Sequence, residues 1–422
     1  MATRRPPGRK AQILAVAGER FHRDGYHRVS MAGLAGELGI TAPALYRHVP
    51  GKSELLRQVL DAQLSALREA TRSVSSAPDG PVALAAALAP AAIDHRVLGT
   101  LWQRDARLLP PAQRARLRRE LRTEVTAMAT AVRRARPELT PPDAALLCWS
   151  VLSALGGLSN HTFVLPRRRF ERLLGELIGA VLAAPLPPRP SPSPPPSPPR
   201  PSPSQPPPGS RREELLTAAV VLFHRYGFDN VTTDRLGAAV GIAGPSVYKH
   251  FGTKAELLAA ALERCRERLR REVSAPMAAG LTTAGGPGAA LAVGLRAYVD
   301  FAHRHGDHLG VMVSETERLA PPDRRAAVAF RRDFLRTWVE LLREVRPEYG
   351  PAEARIRVHA MFALVNDGVR GGWDRPDLTQ CLADLAGAVS GLPVLDMTQG
   401  RARPGPPLRG RQDEVGQYST NG

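Results

Sequence analysis

The feature that most constrains this chain of 422 residues is an internal repeat. Residues 13–56 align with residues 215–258 at a constant offset of 202 and without a gap, and 17 of the 44 aligned positions are identical. The Phe-His-Arg sequence at residues 21–23, for example, occurs again at residues 223–225. A repeat of this length indicates that one supersecondary unit is present twice.

The repeat extends beyond this segment at a second offset, 211. Arg-Leu-Leu-Pro-Pro at residues 107–111 corresponds to Arg-Leu-Ala-Pro-Pro at residues 318–322. An insertion of nine residues in the second half, around residues 275–290, accounts for the changed offset. Each repeat is therefore about 180 residues long, which is the size of a whole domain pair.

A proline-rich segment separates the two repeats. Residues 185–208 contain 15 prolines in 24 residues, a composition that excludes helix and sheet and favours an extended polyproline II spacer. We refer to residues 11–184 as copy 1 and to residues 209–396 as copy 2. The expected segments are a basic arm (1–10), a first segment of short helices (11–56, head 1), a helical domain (57–184), the linker (185–208), a second segment of short helices (209–258, head 2), a second helical domain (259–396) and a disordered tail (397–422).

The apolar pattern predicts an all-α fold. Apolar residues recur three and four positions apart, and no long alternating pattern typical of strands is present. In each head the sequence predicts an amphipathic helix that ends near a glycine, then two short helices across a Gly-Ile turn. Ser30 and Thr232 are placed to cap the first short helix, and Pro43 and Pro245 fit the first turn of the second. Further helices are predicted over 82–109, 111–135, 141–164, 168–183, 287–305, 309–319, 323–346, 351–371 and 377–390.

The composition narrows the function classes. A formal net charge of +18 favours a polyanionic partner, with nucleic acid first and anionic lipid second. The three cysteines lie far apart in the sequence, so no disulfide framework or CxxC site is expected, and the chain suits a reducing cytoplasm. The sequence contains no run of 18 apolar residues, so no membrane-spanning helix is expected. The sequence has no phosphate-binding glycine loop, GxSxG, HExxH or paired-carboxylate motif, so neither an enzyme nor a cofactor or metal site is expected.

Two short helices across a glycine turn, preceded by an amphipathic helix, form the pattern of a helix-turn-helix. The second short helix must approach the major groove closely, which its small residues allow, and a tyrosine near its end can donate a hydrogen bond to a phosphate. Lys52 and Lys254 open the next helix, whose free N–H groups favour phosphate. The candidate DNA-binding residues are Ser30, Thr41, Ala42, Pro43, Ala44, Tyr46, Arg47, His48 and Lys52 in head 1, and Thr232, Ala243, Gly244, Pro245, Ser246, Tyr248, Lys249, His250 and Lys254 in head 2.

These segments, residues 39–56 and 241–258, resemble the DNA-binding domain of TetR/AcrR-family transcriptional regulators. The resemblance lies in the Gly-Ile turn, the Tyr-x-His sequence and the downstream Lys-x-Glu-Leu-Leu. It implies that residues 11–56 and 209–258 are helix-turn-helix DNA-binding domains. It also implies that residues 57–184 and 259–396 are all-α domains that bind a ligand and dimerise. Two positions depart from the family pattern: Val49 replaces a phenylalanine, and Ala243 replaces a capping serine or threonine.

Copy 1 also contains a basic stretch after residue 100. This stretch resembles effector domains of the acyl-CoA-responsive branch of the family, in which arginines would clamp an anionic ligand. The alternative is a solvated helix face. Copy 2 has Glu315 where copy 1 has Arg104, so the two copies are expected to differ in ligand binding. The candidate ligand-binding residues are Trp102, Arg104, Arg107 and Trp149, and the ligand would be an acyl-CoA or another anionic or hydrophobic compound.

The expected function is therefore a ligand-responsive transcriptional repressor with a double-stranded DNA operator as partner. The last two helices of each copy would form a four-helix interface, either within one chain as a pseudo-dimer or between two chains as a homodimer. We favour the intrachain arrangement because a linker that spans the gap raises the effective concentration. The two heads would then read an imperfect palindrome. The alternative is a small-molecule-binding scaffold or sensor that has lost DNA binding in one or both heads.

Overall fold

A computed structural model of the chain describes residues 8–74, 77, 79–162, 165–188, 210–282, 285–392, 395–396 and 401–402. Most of the expected basic arm, the linker from residue 189 onward and nearly all of the expected tail lie outside the described residues. The expected helical domains fall almost entirely within them.

The described part of copy 1 is helical. Its first helix ends at Gly25, where φ is +81°, a value that suits a residue without a side chain. The helices are α1 (Arg9–Asp24), α2 (Met31–Glu37), α3 (Ala42–His48), α4 (Lys52–Thr71), α5 (Gly80–Asp94), α6 (Leu98–Thr100), α7 (Pro111–Ala135), α8 (Pro141–Gly156) and α9 (Arg167–Ala183).

Copy 2 repeats this order with one addition. Its helices are α10 (Arg211–Tyr226), α11 (Thr233–Ala239), α12 (Lys254–Leu269), α13 (Ala275–Thr282), α14 (Gly286–Arg304), α15 (Gly306–Glu315), α16 (Pro321–Val345), α17 (Pro351–Gly368) and α18 (Leu378–Ser390). The insertion predicted around 275–290 contains α13, which packs on α14. Two strands of two residues, β1 (Leu395–Asp396) and β2 (Arg401–Ala402), pair antiparallel after α18. The predicted all-α class is confirmed.

The sequence predicted a single helix over 82–109, and this is wrong in detail because the helix ends at Asp94. The chain continues as α6, a π-helical segment Leu101–Asp105 and a 3-10 turn Ala106–Leu108. The break brings α6 against the end of α8, where a Cβ on Gly99 would lie only 2.3 Å from the Gly156 carbonyl oxygen. A straight helix would not place residues 98–100 in this contact.

The two copies meet through their last helices within the same chain. Helix α8 packs along α17, and α9 packs against α18. The approach is close, since a Cβ on Gly157 would lie 2.7 Å from the carbonyl oxygen of His359. One continuous apolar cluster runs from head 1 through the C-terminal helices of both copies, whereas head 2 has a smaller cluster of its own.

Buried ion pairs cross this interface. The Arg375 side chain is 1% exposed, and its guanidinium donates to the Asp143 carboxylate of copy 1 at 2.7 Å and to Asp377 at 2.8 Å. Arg357 donates to Glu176 of α9 at 3.1 Å, but this carboxylate is 54% exposed and Arg357 also pairs with Glu353 of its own helix at 3.0 Å. Because ionised groups are costly to bury without a partner, the Arg375–Asp143 pair is the one that restricts the register of the two copies.

One segment, Pro141–Asn160, is long and apolar enough to cross a membrane by length and composition. In this structure 72% of that apolar stretch is buried against the rest of the protein. The stretch contains α8, so its apolar character is explained by its position in the interface between the copies.

The Arg375–Asp143 pair predicts a large loss of stability on truncation. We expect Arg375→Leu to lower the free energy of unfolding by about 3 kcal/mol, because the largely buried carboxylate of Asp143 loses its ion pair with the Arg375 guanidinium. Urea unfolding followed by circular dichroism measures the change. The control is Arg332→Leu, whose side chain is 71% exposed beside Asp333 and which should cost at most about 1 kcal/mol. Equal losses in the two variants would contradict this role for Arg375.

The imidazoles of His161 and His359 predict a dependence of stability on pH. Their rings lie 4.9 Å apart in the interface, and burial lowers the pKa of His161 to about 3 and that of His359 to about 4. In the unfolded chain these imidazoles bind protons below about pH 6.5, whereas in the folded chain they stay neutral to a lower pH. The free energy of unfolding therefore falls as the pH drops from about 6.5 towards 4. His359→Leu should reduce the difference in urea midpoint between about pH 7 and pH 5. An unchanged difference would argue against this assignment, and exposed His48→Leu serves as the control.

Candidate nucleic-acid interface and effector cavity

Each head contains the helix-turn-helix predicted from its sequence. Ser30 accepts a hydrogen bond from the Gly33 N–H at 3.0 Å, and Thr232 accepts one from the Arg235 N–H at 3.2 Å, so both cap their helices. The tight turn depends on glycine, since Gly39 has φ +64° and Gly241, the matching residue of head 2, has φ +72°.

Buried apolar residues anchor the second short helix of each head. Leu45 and Val49 are fully buried in head 1, and Val247 and Phe251 occupy the same positions in head 2. Val49 therefore fills the site of the larger Phe251 without becoming exposed. In head 2 the guanidinium of Arg212 lies 4.4 Å from the centre of the Phe251 ring, a contact that valine cannot offer.

The outer face of each helix carries an exposed tyrosine. Tyr46 is 49% exposed and Tyr248 is 51% exposed, although large aromatic side chains normally pack inward. Both phenols lie at the same position of the repeat and beside basic residues. The other exposed predicted residues are Ser30, Thr41, Pro43, Arg47 and His48 in head 1, and Thr232, Ala243, Pro245 and Lys249 in head 2; Ala42, Ala44, Ser246 and His250 are partly exposed.

The two heads differ in the second short helix. In head 1, Thr41 accepts a hydrogen bond from the Ala44 N–H at 3.3 Å, and an α-helix follows. In head 2, Ala243 provides no such cap, and Gly244–Lys249 form a 3-10 helix rather than the α-helix predicted. Gly244 is buried, with the Asp234 carboxylate where a Cβ would stand. The prediction that Gly244 lies at the DNA-facing surface is therefore wrong.

Lys52 and Lys254 contact backbone carbonyls of their own heads. Lys52 Nζ donates to the His27 carbonyl at 3.3 Å and lies 4.5 Å from the centre of the Tyr26 ring. Lys254 Nζ donates to the carbonyls of Phe228 and Val231 at 2.8 and 2.9 Å. Burial lowers the pKa of both lysines, and nearby Arg318 adds to the effect. These ammonium groups close the turn after the first helix of each head, and their contact with phosphate stays a prediction.

A cavity of about 1550 Å³ lies in copy 1 between α4, α5, α7 and α8. Of the predicted ligand-binding residues, Trp102, Arg107 and Trp149 line it. Trp373 of copy 2 also lines it. The walls are mainly apolar, and Leu64, Leu67, Leu88, Leu121, Val125 and Leu152 contribute to them.

Arg104 does not line this cavity, and its assignment as a ligand-binding residue stays a prediction. Its guanidinium donates to the carbonyl of Phe21 at 2.5 Å, at the C-terminal end of α1, and pairs with buried Asp105 at 2.9 Å. Arg107 makes the equivalent contact with the other head. It donates to the carbonyls of Phe223 and His224, at the end of α10, at 3.2 Å each and pairs with Glu315.

Three arginines of α7 form a row at the cavity. Arg114, Arg118 and Arg122 are spaced four residues apart, so they lie on one helix face, and all three line the cavity. In the part of the chain that the structure describes, none of them forms an ion pair with a carboxylate. Partial burial and then the charges of Arg114 and Arg122 lower the pKa of Arg118. The neighbouring Arg116 differs, because it pairs with Asp61 at 2.7 Å.

Sequence reasoning missed the part of the cavity wall that copy 2 supplies. Tyr226 and Arg235 of head 2 line the cavity of copy 1, as do Asp367 and Arg370 from the end of α17. No pattern in the sequence signals this, because the residues meet only through the packing of the two copies. Among the described residues, no group of three or more His, Cys, Asp or Glu side chains is placed to hold a metal ion.

The two heads correspond to a known sequence family. The family model "Bacterial regulatory proteins, tetR family" matches residues 13–59 and again residues 215–261. The HTH-type transcriptional activator FasR of Mycolicibacterium smegmatis is 37% identical over 71 residues, 16% of this chain and 32% of FasR. The nucleoid occlusion factor SlmA of Aliivibrio fischeri is 36% identical over 62 residues, 14% of this chain and 32% of SlmA. The chain thus spans about a third of the length of these relatives.

Two solved structures each align with less than half of the chain. A TetR-family transcriptional regulator from Bordetella parapertussis 12822 covers 46% of this chain and 99% of its own, with a TM-score of 0.38 and 18% identity. AibR, solved in complex with isovaleryl coenzyme A and operator DNA, covers 43% of this chain and 97% of its own, with a TM-score of 0.37 and 18% identity.

The position of Lys254 predicts a structural role that can be separated from DNA binding. We expect Lys254→Met to destabilise head 2 by about 2 kcal/mol, because two carbonyl groups lose a charged donor. Hydrogen exchange of residues 228–231 should accelerate accordingly. The slope of log affinity against log salt for any bound duplex should stay unchanged, since no phosphate contact is lost. A slope reduced by about 0.9 with unaltered exchange would instead identify a phosphate contact.

Proposed function

We propose that this chain, in which residues 13–59 and 215–261 match the model of tetR-family bacterial regulatory proteins, is a DNA-binding transcriptional regulator with two heads in one chain. The partner is double-stranded DNA carrying an operator sequence. The setting is the cytoplasm, in association with the nucleoid, and the proposal includes no enzymatic activity.

The observation that carries the proposal is the pair of exposed tyrosines. Tyr46 and Tyr248 are about half exposed at equivalent positions, next to Arg47 in head 1 and Lys249 in head 2. A phenol and a cation at the end of a helix that enters the major groove suit contact with consecutive phosphates. The exposed caps and small residues before them leave room for base edges.

We further propose that one chain acts as a pseudo-dimer. The packing of α8 on α17 and of α9 on α18 supports this arrangement, because equivalent helices of the two copies already bury each other. The turns after α1 and α10 also meet, with His27 Nδ1 at 3.3 Å from the carboxylate of Asp229, its equivalent in head 2. A second chain would have to compete with contacts at a high effective concentration.

An operator read by such a chain is an imperfect palindrome. Half-sites for a dimeric helix-turn-helix lie about 34 Å apart, one turn of DNA. The two heads differ at the start of the second short helix, since Thr41-Ala42 in head 1 corresponds to Ala243-Gly244 in head 2. Because Gly244 is buried and the helix that follows is 3-10, head 2 presents a different surface to its half-site.

The regulator is proposed to be a ligand-responsive repressor whose effector enters the cavity of copy 1. The apolar walls suit a hydrophobic body, and the unpaired row of Arg114, Arg118 and Arg122 suits an anionic head group. An acyl-CoA combines both features, as does a simpler amphipathic acid. Effector binding would shift the chain towards an arrangement of the heads that no longer fits the operator.

The alternative is a ligand-binding scaffold or sensor without DNA binding. The observation that favours it is the altered second helix of head 2, which lacks the side-chain cap present in head 1. Selection of bound fragments from genomic DNA, followed by gel shifts at several salt concentrations, distinguishes the two functions. Salt-insensitive or absent binding by the full chain would establish the scaffold.

The phenols predict a loss of affinity that does not depend on DNA sequence. We expect Tyr46→Phe and Tyr248→Phe each to weaken binding to the selected duplex about fivefold, which corresponds to one hydrogen bond of about 1 kcal/mol. The salt dependence should not change, because the phenol is neutral. Fluorescence anisotropy with labelled duplexes measures both quantities. If both variants bound DNA with wild-type affinity, the phenol groups of Tyr46 and Tyr248 would not be DNA contacts.

Replacing Arg47 should instead change the salt dependence of DNA binding. Arg47→Ala should reduce the slope of log affinity against log salt by about 0.9, because one phosphate is no longer neutralised. Arg332→Ala, which removes an exposed arginine of α16 outside both heads, is the matched control and should leave the slope unchanged. The same reduction in both variants would reveal an effect of net charge rather than a contact.

A further inference from the structure

The cavity of copy 1 is completed by head 2. Val221 and Tyr226 of α10 and Arg235 of α11 line it together with residues of copy 1. The Arg235 guanidinium lies 3.5 Å from the centre of the Tyr226 ring, so the two side chains form one stacked unit at the wall. In contrast, no residue of α1, the equivalent helix of head 1, lines the cavity.

The corresponding region of copy 2 is closed by aromatic rings. Leu152 of the cavity wall and Phe362 occupy equivalent positions, because Leu152 lies as many residues after the start of α8 as Phe362 lies after the start of α17. Leu88 and Tyr298 are equivalent in the same way, counted back from the end of α5 and from the end of α14. At both positions copy 2 therefore has an aromatic ring where copy 1 has leucine.

These rings pack on one another. The ring centres of Tyr298 and Phe362 are 4.5 Å apart, those of Trp338 and Phe362 are 5.2 Å apart, and those of Phe334 and Phe362 are 5.6 Å apart. Tyr298 is buried, and its hydroxyl donates to Asn366 Oδ1 at 2.8 Å. The cluster is therefore well packed, and it occupies the space between α14, α16 and α17 that a ligand would need.

Two neighbouring arginines connect the cavity region to both heads. Arg104 donates to the end of α1 in head 1, and Arg107, three residues later, donates to the end of α10 in head 2. Arg107 also lines the cavity. A change in the conformation of residues 104–107 is thus transmitted to the first helix of each head by charge-assisted hydrogen bonds.

On the basis of the proposed function, we propose that the cavity of copy 1 is a composite effector site that controls both heads, whereas copy 2 binds no effector because aromatic rings fill its equivalent region. Its occupant is an amphipathic anion that touches head 2 directly. One effector molecule therefore acts on each chain, and head 2 responds to a site in the other copy.

The first test measures how many molecules bind and where. The probe is 1-anilinonaphthalene-8-sulfonate, whose apolar rings and sulfonate match the cavity, titrated by fluorescence and calorimetry with the full chain and no DNA. We expect one molecule per chain. Leu152→Phe and Leu88→Tyr, which introduce the side chains that copy 2 has, should each weaken binding at least about tenfold by filling the cavity. Because the two substitutions lie on different helices, a folding defect in one leaves the other to decide.

The control places a ring of the same size outside the cavity. Val328→Phe adds an aromatic side chain at an exposed position of α16, where valine is 41% exposed, and should leave probe binding unchanged. Two molecules per chain, no binding by the wild-type chain, or binding unaffected by both Leu152→Phe and Leu88→Tyr would overturn the proposal. Arg118→Gln should also weaken binding, whereas Arg119→Gln, on the same helix but away from the cavity, should not.

The second test asks whether the occupant contacts head 2. Bound probe should slow hydrogen exchange in residues 221–235, which contribute to the wall. Probe binding without any change in this segment would overturn direct contact with head 2. Neither test includes DNA, so a failure of the cavity site is distinguishable from a failure of DNA binding, which the gel shifts measure separately.

Discussion

The close packing of α8 against α17 is the constraint on which the rest of the structure depends. Gly157 allows it, because any side chain there would collide with the backbone of α17 at His359. This contact merges the C-terminal helices of two sequence repeats into one apolar core. Every feature that joins the copies follows from it, including the wall that head 2 adds to the cavity of copy 1 and the reach of Arg107 to α10.

Apolar packing alone would not fix how the two copies align, since apolar surfaces tolerate sliding. Buried ions restrict the alternatives, because each must meet its partner. The buried guanidinium of Arg375 meets Asp143 of the other copy in the observed register, whereas Arg357 has a partner, Glu353, in its own helix. Replacing such a pair by apolar residues can preserve stability, so we infer that the Arg375–Asp143 pair contributes more to the uniqueness of the arrangement than to its strength.

The sequence predicted best what is determined locally. The caps at Ser30 and Thr232 and the turns at Gly39 and Gly241 depend on residues within a few positions, and the structure agrees. Lys254 could not be placed in this way, because its partners are carbonyls of the turn at 228–231, about 25 residues earlier. Its charge suggested phosphate, and the structure places its ammonium group against an aromatic ring and two carbonyls in a half-buried position.

The lining of the cavity was predictable only in part, for the same reason. Trp102, Arg107 and Trp149 were selected as unusual residues within copy 1, and all three line the cavity. Arg104, equally unusual, instead contacts the end of α1 and Asp105. Tyr226 and Arg235 belong to the other copy, and only the tertiary packing brings them to the cavity.

A fused pair of copies can diverge in ways that two identical subunits cannot. In a homodimer, a ring that fills one ligand cavity fills both, and a lost cap alters both recognition helices. In this chain Phe362 and Tyr298 close one copy while Leu152 and Leu88 keep the other open. Likewise, Thr41 caps an α-helix in head 1 while head 2 has Ala243 and a 3-10 helix. Covalent linkage joins one copy of each type in every chain, so the proposed effector site in copy 1 would act on head 1 through Arg104 and on head 2 through Arg107.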